Sequence, residues 1–164
     1  MTEHSNLWKN PNATVSSINE LVSLDSSATQ IIIDNGVSDS DFTVLDLTRF
    51  TQLISLEIGD HCLSYVTKVN LTGLYSLESV EIGMNSFTQH KNYYGQDPNR
   101  HFYLKNCPKL KSLKVGRYSF SDYSVCEIEN VDALEVIKMG FFNEWSDNFY
   151  YASLQLTSIL IHRE

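Results

Sequence analysis

The residues of this chain that could do chemistry are few, and their spacing does not assemble a reactive site. His61 and Cys62 are adjacent, but a cysteine nucleophile needs a histidine that approaches its thiol in space and usually a third group that orients the histidine. His90 and His101 stand eleven residues apart, which is not the spacing of a metal-ligand pair. The glycines are confined to turns, and no phosphate-binding loop is recognisable. We therefore predict a chain that is not an enzyme and that has no metal site and no cofactor.

Acidic charge is concentrated in the first third of the chain. Residues 1–60 carry nine acids and two bases, whereas residues 101–164 carry eight acids and seven bases. Because phosphate binding needs a basic field, this balance argues against nucleic acid as a partner. We interpret a local basic cluster around Lys109, Lys111 and Lys114 as a solvated face that neighbouring glutamates balance.

The sequence has no recognisable targeting segment. Residues 1–20 lack the basic start and apolar stretch of a signal peptide, and no window approaches about 18 consecutive apolar residues, the length of a membrane-spanning helix. The three cysteines show no C-x-x-C spacing, which is typical of a reducing compartment. We expect a cytoplasmic protein that contacts no membrane.

The elements that would position any functional residue come from a unit that recurs along the chain. The unit is L-x-x-L-x-I-G, and its clear copies are Leu53/Leu56/Ile58/Gly59, Leu77/Val80/Ile82/Gly83, Leu110/Leu113/Val115/Gly116 and Leu134/Ile137/Met139/Gly140. We assign a degenerate leading copy to Ala28/Ile31/Ile33 and a last copy, without glycine, to Leu156/Ile159/Ile161. The steps between copies are 25, 24, 33, 24 and 22 residues, which indicates a period near 24 with one insertion.

These copies resemble those of a leucine-rich repeat protein, and the phrases "IGMNSF" and "VGRYSF" resemble its BspA-like variety. The resemblance covers residues 28–161, nearly the whole chain. It implies a mostly β, right-handed leucine-rich-repeat solenoid of about five to six coils, in which stacked coils share one core. It also implies a binding scaffold without catalytic residues.

We divide the chain into an N-terminal segment, residues 1–27, and the solenoid, residues 28–164, which carries an insertion loop near 88–101. In the first segment Ser17 and Glu20 have the spacing of a capping box, which predicts a short capping helix over residues 18–24. Along each strand of the solenoid, the period of two points the leucine and isoleucine positions inward. The glycine that follows is expected to adopt a positive φ in a tight turn.

The outward positions of the repeat are the first candidates for a binding surface. Stacked strands place side chains in rows about 5 Å apart. One row reads Glu57, Glu81, Lys114 and Lys138. It is acidic in one half and basic in the other, whereas a second row with Glu78, Lys111 and Glu135 alternates in sign and is expected to be satisfied internally. We predict that the first row contacts a protein partner; a solvated polar face without a ligand is the alternative.

Aromatic residues on two loops are the second candidates, because exposed aromatic pairs resemble interface anchors. The residues concerned are Tyr93, Tyr94, Phe141 and Phe142. The two tyrosines lie in the insertion loop, which is alternatively a neutral loop without function. We assign the nearby Trp145 to the inward aromatic position that Phe87 and Phe120 occupy in earlier copies.

The function that these observations predict is that of a non-catalytic protein-protein interaction module. The alternative is a structural or surface-adhesion fragment of a longer repeat array, in which the repeats are a spacer. Because no capping motif is recognisable after the last copy, we also expect self-association through its apolar residues, Leu156, Ile159 and Ile161.

Overall fold

A computed structural model of the chain describes residues 12–90, 96–140 and 146–157. These residues are mostly β, as the sequence predicts, with one short helix, α1 (Ile18–Ser23). The strands are β1 (Asn12–Val15), β2 (Gln30–Ile33), β3 (Val44–Asp46), β4 (Ser55–Ile58), β5 (Lys68–Thr72), β6 (Ser79–Ile82), β7 (Asp97–Lys105), β8 (Ser112–Val115), β9 (Tyr123–Glu129), β10 (Val136–Met139) and β11 (Ser153–Thr157). No helix within the described ranges is long and apolar enough to cross a membrane.

The strands form two parallel sheets. The six-stranded sheet has the order β1-β2-β4-β6-β8-β10, and the five-stranded sheet has the order β3-β5-β7-β9-β11. From β2 onwards the chain alternates between the sheets, so that from β4 onwards each strand pairs with the strand two places earlier. Such crossovers are required because a tight hairpin joins only antiparallel neighbours.

The apolar positions of the repeat form continuous rows in the core. One row in the six-stranded sheet contains Ile31, Leu56, Val80, Leu113 and Ile137, and the next contains Ile33, Ile58, Ile82, Val115 and Met139. The first four members of each row are buried. The predicted register is therefore confirmed, including the degenerate leading copy at Ala28.

The connections between the sheets are of two kinds. The returns from the five-stranded to the six-stranded sheet after β5, β7 and β9 are residues 73–78, 106–111 and 130–135, six residues each. Each return begins in left-handed backbone, with φ of 71° at Gly73, 55° at Asn106 and 54° at Asn130. The opposite connections vary more in length, from seven residues after β8 (116–122) to fourteen after β6 (83–96). The return after β3, residues 47–54, is eight residues, so among the described connections the greater variation in length lies on the opposite side.

Ser17 is the N-cap of helix α1, as predicted, and only the reciprocal bond of the capping box reaches one residue further back, to Ser16. Ser17 Oγ accepts a hydrogen bond from the backbone N–H of Glu20 at 3.3 Å, and Glu20 Oε2 accepts one from the backbone N–H of Ser16 at 2.7 Å. The helix ends at Ser23, one residue before the predicted end. The sequence does not predict β1, which pairs with β2 and extends the six-stranded sheet.

The assignment of Leu156 to a last L-x-x-L-x-I copy is wrong. Leu156 lies in β11 and is in register with Ile128 of β9, in the five-stranded sheet. The reason is a second insertion: the Ser146 carbonyl accepts from the Tyr118 N–H just as the Arg117 carbonyl accepts from the Asn85 N–H in the preceding repeat. Residues 141–145 are therefore extra, and they displace the later sequence from the 24-residue period. Ile159 and Ile161 lie outside the described residues.

The same insertion overturns the assignment of Trp145 to the inward aromatic position. Phe149 occupies that position: its ring stacks on Phe120 with centroids 4.7 Å apart, and Phe120 stacks on Phe87 at 4.6 Å. Both ring pairs are within 10° of parallel, at interplanar angles of 7° and 9°. Trp145 itself lies outside the described residues.

Candidate functional site

Four charged side chains lie in one row on the outer face of the six-stranded sheet, as the sequence predicts. We call Glu57, Glu81, Lys114 and Lys138 the charged row; consecutive members are in register on β4, β6, β8 and β10. All four side chains are exposed. The order of the strands therefore places two acids beside each other and two bases beside each other.

The middle of the charged row is paired and its two ends are not. Lys114 Nζ lies 3.1 Å from Glu81 Oε2, an ion pair with about half of each side chain exposed. Within the described part of the chain, neither Glu57 nor Lys138 lies in an ion pair. In the neighbouring row Lys111 Nζ lies 3.1 Å from Glu78 Oε2, whereas Glu135 forms no ion pair with a described residue, so the prediction that this row is satisfied internally holds for Glu78 and Lys111 only.

Glycines at the ends of the strands open a groove beside the charged row. The expectation of a positive φ is wrong for Gly59, Gly83 and Gly116. A Cβ atom at Gly116 would instead lie 2.5 Å from the carbonyl carbon of Gly83 and 2.5 Å from the nitrogen of Met84. Glycine is required there because successive turns approach too closely for a side chain.

We call the resulting cavity, of about 200 Å³, the glycine groove. Its described lining includes Asp60, Glu81, Lys114 and Lys138, so that both signs of charge face the same opening. Three members of the charged row are thus also members of the groove. An extended ligand that lies along the row meets acids at one end and bases at the other.

Polar side chains hold the glycine turns in place, and two of these turns, at Gly83 and Gly116, line the glycine groove. A glycine carbonyl in each repeat accepts a hydrogen bond from a side chain of the next repeat. The pairs are Ser86 Oγ to Gly59 O (2.8 Å), Ser119 Oγ to Gly83 O (2.6 Å) and Asn148 Nδ2 to Gly116 O (2.7 Å). The Ser86 hydroxyl also accepts from the backbone N–H of Cys62 at 3.0 Å. The groove is therefore preformed, which lowers the entropic cost of binding.

A buried charged cluster, which the sequence analysis missed, holds the end of the first insertion. Arg100 is 2% exposed and lies 3.5 Å from carboxylate oxygens of both Asp97 and Asp122. Its guanidinium donates to the carbonyls of Ser64 at 2.9 Å and Phe87 at 3.2 Å.

Asp122 connects this cluster to the connection between β6 and β7, because its Oδ2 accepts a hydrogen bond from the backbone N–H of Gln89 at 3.0 Å. Tyr123 lies against the guanidinium, and burial raises its pKa well above the usual range. Part of the predicted 88–101 loop is consequently strand β7, with Arg100 at an inward position in the alternation with Phe102 and Leu104.

The structure separates the residues that could have formed a nucleophilic pair. Cys62 is buried, and its Sγ donates to the carbonyl oxygen of Asp34 at 3.0 Å, while the His61 ring lies 3.4 Å from the side-chain nitrogen of Asn85. Burial raises the pKa of all three thiols, that of Cys126 to about 12, so they are held as neutral thiols. Cys107 and Cys126 are fully buried core residues, as predicted.

The aromatic candidates Tyr93, Tyr94, Phe141 and Phe142 lie outside the described residues, so their prediction is neither supported nor contradicted. Across residues 12–90, 96–140 and 146–157, no group of three or more His, Cys, Asp or Glu side chains is arranged to hold a metal ion. Comparison with protein-family models, with curated proteins and with solved structures finds no match to this chain. The candidate site therefore consists of the charged row and the glycine groove.

Proposed function

We propose that this chain is a leucine-rich-repeat solenoid of the BspA-like variety and that it acts as a non-catalytic protein-protein interaction module. Two parallel sheets with alternating strands, a buried repeat register and short strands in place of helices support the proposal. Resemblance of the repeat unit supports the assignment to the right-handed leucine-rich-repeat class.

The proposed function rests on one observation, the exposed charges at the two ends of the charged row. Glu57 and Lys138 are exposed and unpaired among the described residues, at opposite ends of a row that borders a preformed groove. Complementary charges on a partner would steer it to this face and fix its register. Partner recognition then needs no chemistry beyond placement of side chains on a rigid sheet.

Partner capture with charge-exchanged baits tests the proposal. In the variant Glu57→Lys/Lys138→Glu the two ends of the row exchange sign while the net charge stays at −8. We expect the affinity for the captured partner to fall about tenfold or more, since close interfacial charge pairs contribute about 1.5 kcal/mol or more each.

A matched control exchanges an exposed acid and an exposed base elsewhere, in Asp41→Lys/Lys109→Glu. Neither residue lies on the outer face of the six-stranded sheet, so this variant should capture the partner as well as the unmodified chain. Equal capture by all three baits would contradict the assignment of the binding surface.

The alternative, a structural or surface-adhesion fragment of a longer array, also has an observation in its favour. Leu154 and Leu156 on β11 are 63% and 60% exposed, and Ile137 on β10 is 45% exposed, although all three stand at inward positions of the repeat. Apolar rows that are open at one end suit a further repeat. A native mass that rises in steps with concentration would favour this alternative.

A further inference from the structure

The charged row has a symmetry of its own. Read across β4, β6, β8 and β10, the signs are negative, negative, positive and positive, with equal steps between strands. Reversal of the order of the strands changes every sign. A surface with this property is complementary to itself, and self-complementarity is what a two-fold interface between identical chains requires.

We propose that the charged row is the contact face of a two-fold dimer, and that its partner is a second copy of this chain. The proposal rests on the proposed function, because it names the partner of the same surface. A two-fold axis parallel to the strands, between β6 and β8, brings the outer faces of two six-stranded sheets together. Each residue keeps its level along the strand, while the order of the strands is reversed.

This axis places Glu57 of one protomer opposite Lys138 of its partner and Glu81 opposite Lys114. By symmetry each pairing occurs twice, so four ion pairs cross the interface. Glu57 and Lys138, which have no ion-pair partner among the described residues of their own chain, each gain one across the interface. Glu78 meets Lys111 in the neighbouring row by the same operation, so the pairs that already exist within one chain can be exchanged across the interface.

The net charge of the chain agrees with the same orientation. Residues 1–60 carry a net charge of −7, whereas residues 101–164 carry −1. An arrangement in which the strand order is reversed sets the acidic third of one protomer against the nearly neutral end of the other. A dimer with both acidic thirds side by side would place like charges together.

The row between the charged row and the neighbouring one is short and neutral. It contains Ser55, Ser79, Ser112 and Val136. Long glutamate and lysine side chains therefore meet first and leave space for bridging water between the serines. Because the proposed contact follows a few rows of side chains, we expect it to bury less than about 1,200 Å², the size at which stable interfaces begin, and we expect the dimer to form at high micromolar concentration.

Two charge variants test the symmetry directly. The basic variant, Glu57→Lys/Glu81→Lys, makes the row positive throughout, and the acidic variant, Lys114→Glu/Lys138→Glu, makes it negative throughout. We expect each to be a monomer by sedimentation equilibrium at about 0.1 M salt, and an equimolar mixture of the two to regain the dimer. The exchanged variant Glu57→Lys/Lys138→Glu keeps the row self-complementary, so it should still dimerise.

Net charge alone predicts a different result. The basic variant has a net charge of −4, against −8 for the unmodified chain, so weaker overall repulsion would make it dimerise more readily. Dimerisation of the basic variant, or a monomeric unmodified chain at millimolar concentration, would overturn the proposal. Unchanged thermal unfolding of each variant confirms that the comparison is made on folded chains.

Zero-length crosslinking locates the contact. Within one chain Glu57 and Lys138 are three strand steps apart, about 14 Å, which is too far for a direct amide bond between their side chains. A Glu57–Lys138 crosslink must therefore join two chains, and mixed isotope labelling of the protomers verifies this. Dimers that lack this crosslink and persist in the basic variant would instead point to association through the Leu154 and Leu156 end.

The outcome for the dimer is separable from that for the proposed function. If the chain is a monomer but its partner capture still depends on Glu57 and Lys138, the dimer proposal is rejected and the proposed interaction module is retained. If the chain neither dimerises nor captures a partner through these charges, the charged row is rejected as a binding surface. Dimerisation with the Glu57–Lys138 crosslink establishes the second copy as the occupant of the charged row.

Discussion

The outer faces of the two sheets share one backbone pattern and differ in how their charges are paired. On the five-stranded face Lys105 bonds to both Glu127 and Glu129, and the lysine ammonium groups of residues 68 and 105 lie within 6 Å of the Tyr103 ring centroid. On the six-stranded face neither Glu57 nor Lys138, at the ends of the charged row, forms an ion pair with a described residue. A sheet can thus present charge that is already satisfied or charge that awaits a partner, and composition alone does not distinguish the two.

Replacement of Arg100 should give the largest loss of stability, because its buried guanidinium pairs with Asp122 and donates hydrogen bonds to backbone carbonyls next to the five-stranded sheet. Arg100→Ala leaves the Asp122 carboxylate buried without its cation, and such a change typically costs about 3–5 kcal/mol. Urea unfolding measures the loss, and hydrogen exchange at Gln89 should increase with it. Lys68→Ala, on the exposed side of the same sheet, is the matched control; similar values for the two variants would contradict the buried role of Arg100.

Leu113 and Lys114 are adjacent on β8 and compare the inner with the outer face of the six-stranded sheet. Leu113 is fully buried between neighbours on both sides, so Leu113→Ala should lower the free energy of unfolding by about 2–5 kcal/mol. Lys114→Ala removes an exposed ion pair and should change it by less than about 1 kcal/mol. Equal shifts in the urea midpoint would show that the register of the strand is wrong.

The smallest expected change in the free energy of unfolding comes from replacing a lysine on each of the two outer faces. Lys105→Gln should cost about 0.5–1 kcal/mol, since Lys105 joins a three-charge network, whereas Lys138→Gln should be neutral in the monomer. Hydrogen bonds to Glu127 and Glu129 raise the pKa of Lys105 above its ordinary 10.5. A raised lysine pKa stabilises the folded state below that value, and the stabilisation is lost as the pH rises through it. The difference between Lys105→Gln and the unmodified chain should therefore hold at neutral pH and shrink above about pH 10.5.

The rows of the sheets could be predicted from the sequence because each strand of the repeat has one buried and one solvated side. That asymmetry specifies which residues point inward, and it was sufficient to place Leu113 and Lys114 on opposite faces. It also placed Glu57 and Lys138 at the ends of one row. That neither residue has an ion partner in the described part of the chain could be learned only from coordinates, because pairing depends on side-chain reach as well as on register.

The wrong assignments of Leu156 and Trp145 have one physical origin, the second insertion, and the missed burial of Arg100 has another. The sequence "GFFNEWSD" offers several aromatic residues for one inward position, and only the hydrogen bond from Tyr118 to the Ser146 carbonyl shows that five residues are extra. Arg100 was not predicted to be buried because it follows Gly95 and Pro98, in a polar stretch that is typical of a loop. Its alternation with Phe102 and Leu104 indicates an inward position, but an unpaired buried charge is costly, and only the coordinates show the Asp122 carboxylate that compensates it.

The returns after β5, β7 and β9 all have six residues, so these connections are constant in length, whereas those on the other side of the molecule vary. A change of length at residues 106–111 would alter the spacing between one repeat and the next, and the strands of every later repeat would lose their register. A change of length between β6 and β7 leaves the following layer where it was, as the fourteen residues of that connection already demonstrate. Evolutionary novelty in this architecture can thus accumulate along a single flank, where new loops add specificity while the opposite flank preserves the scaffold that displays them.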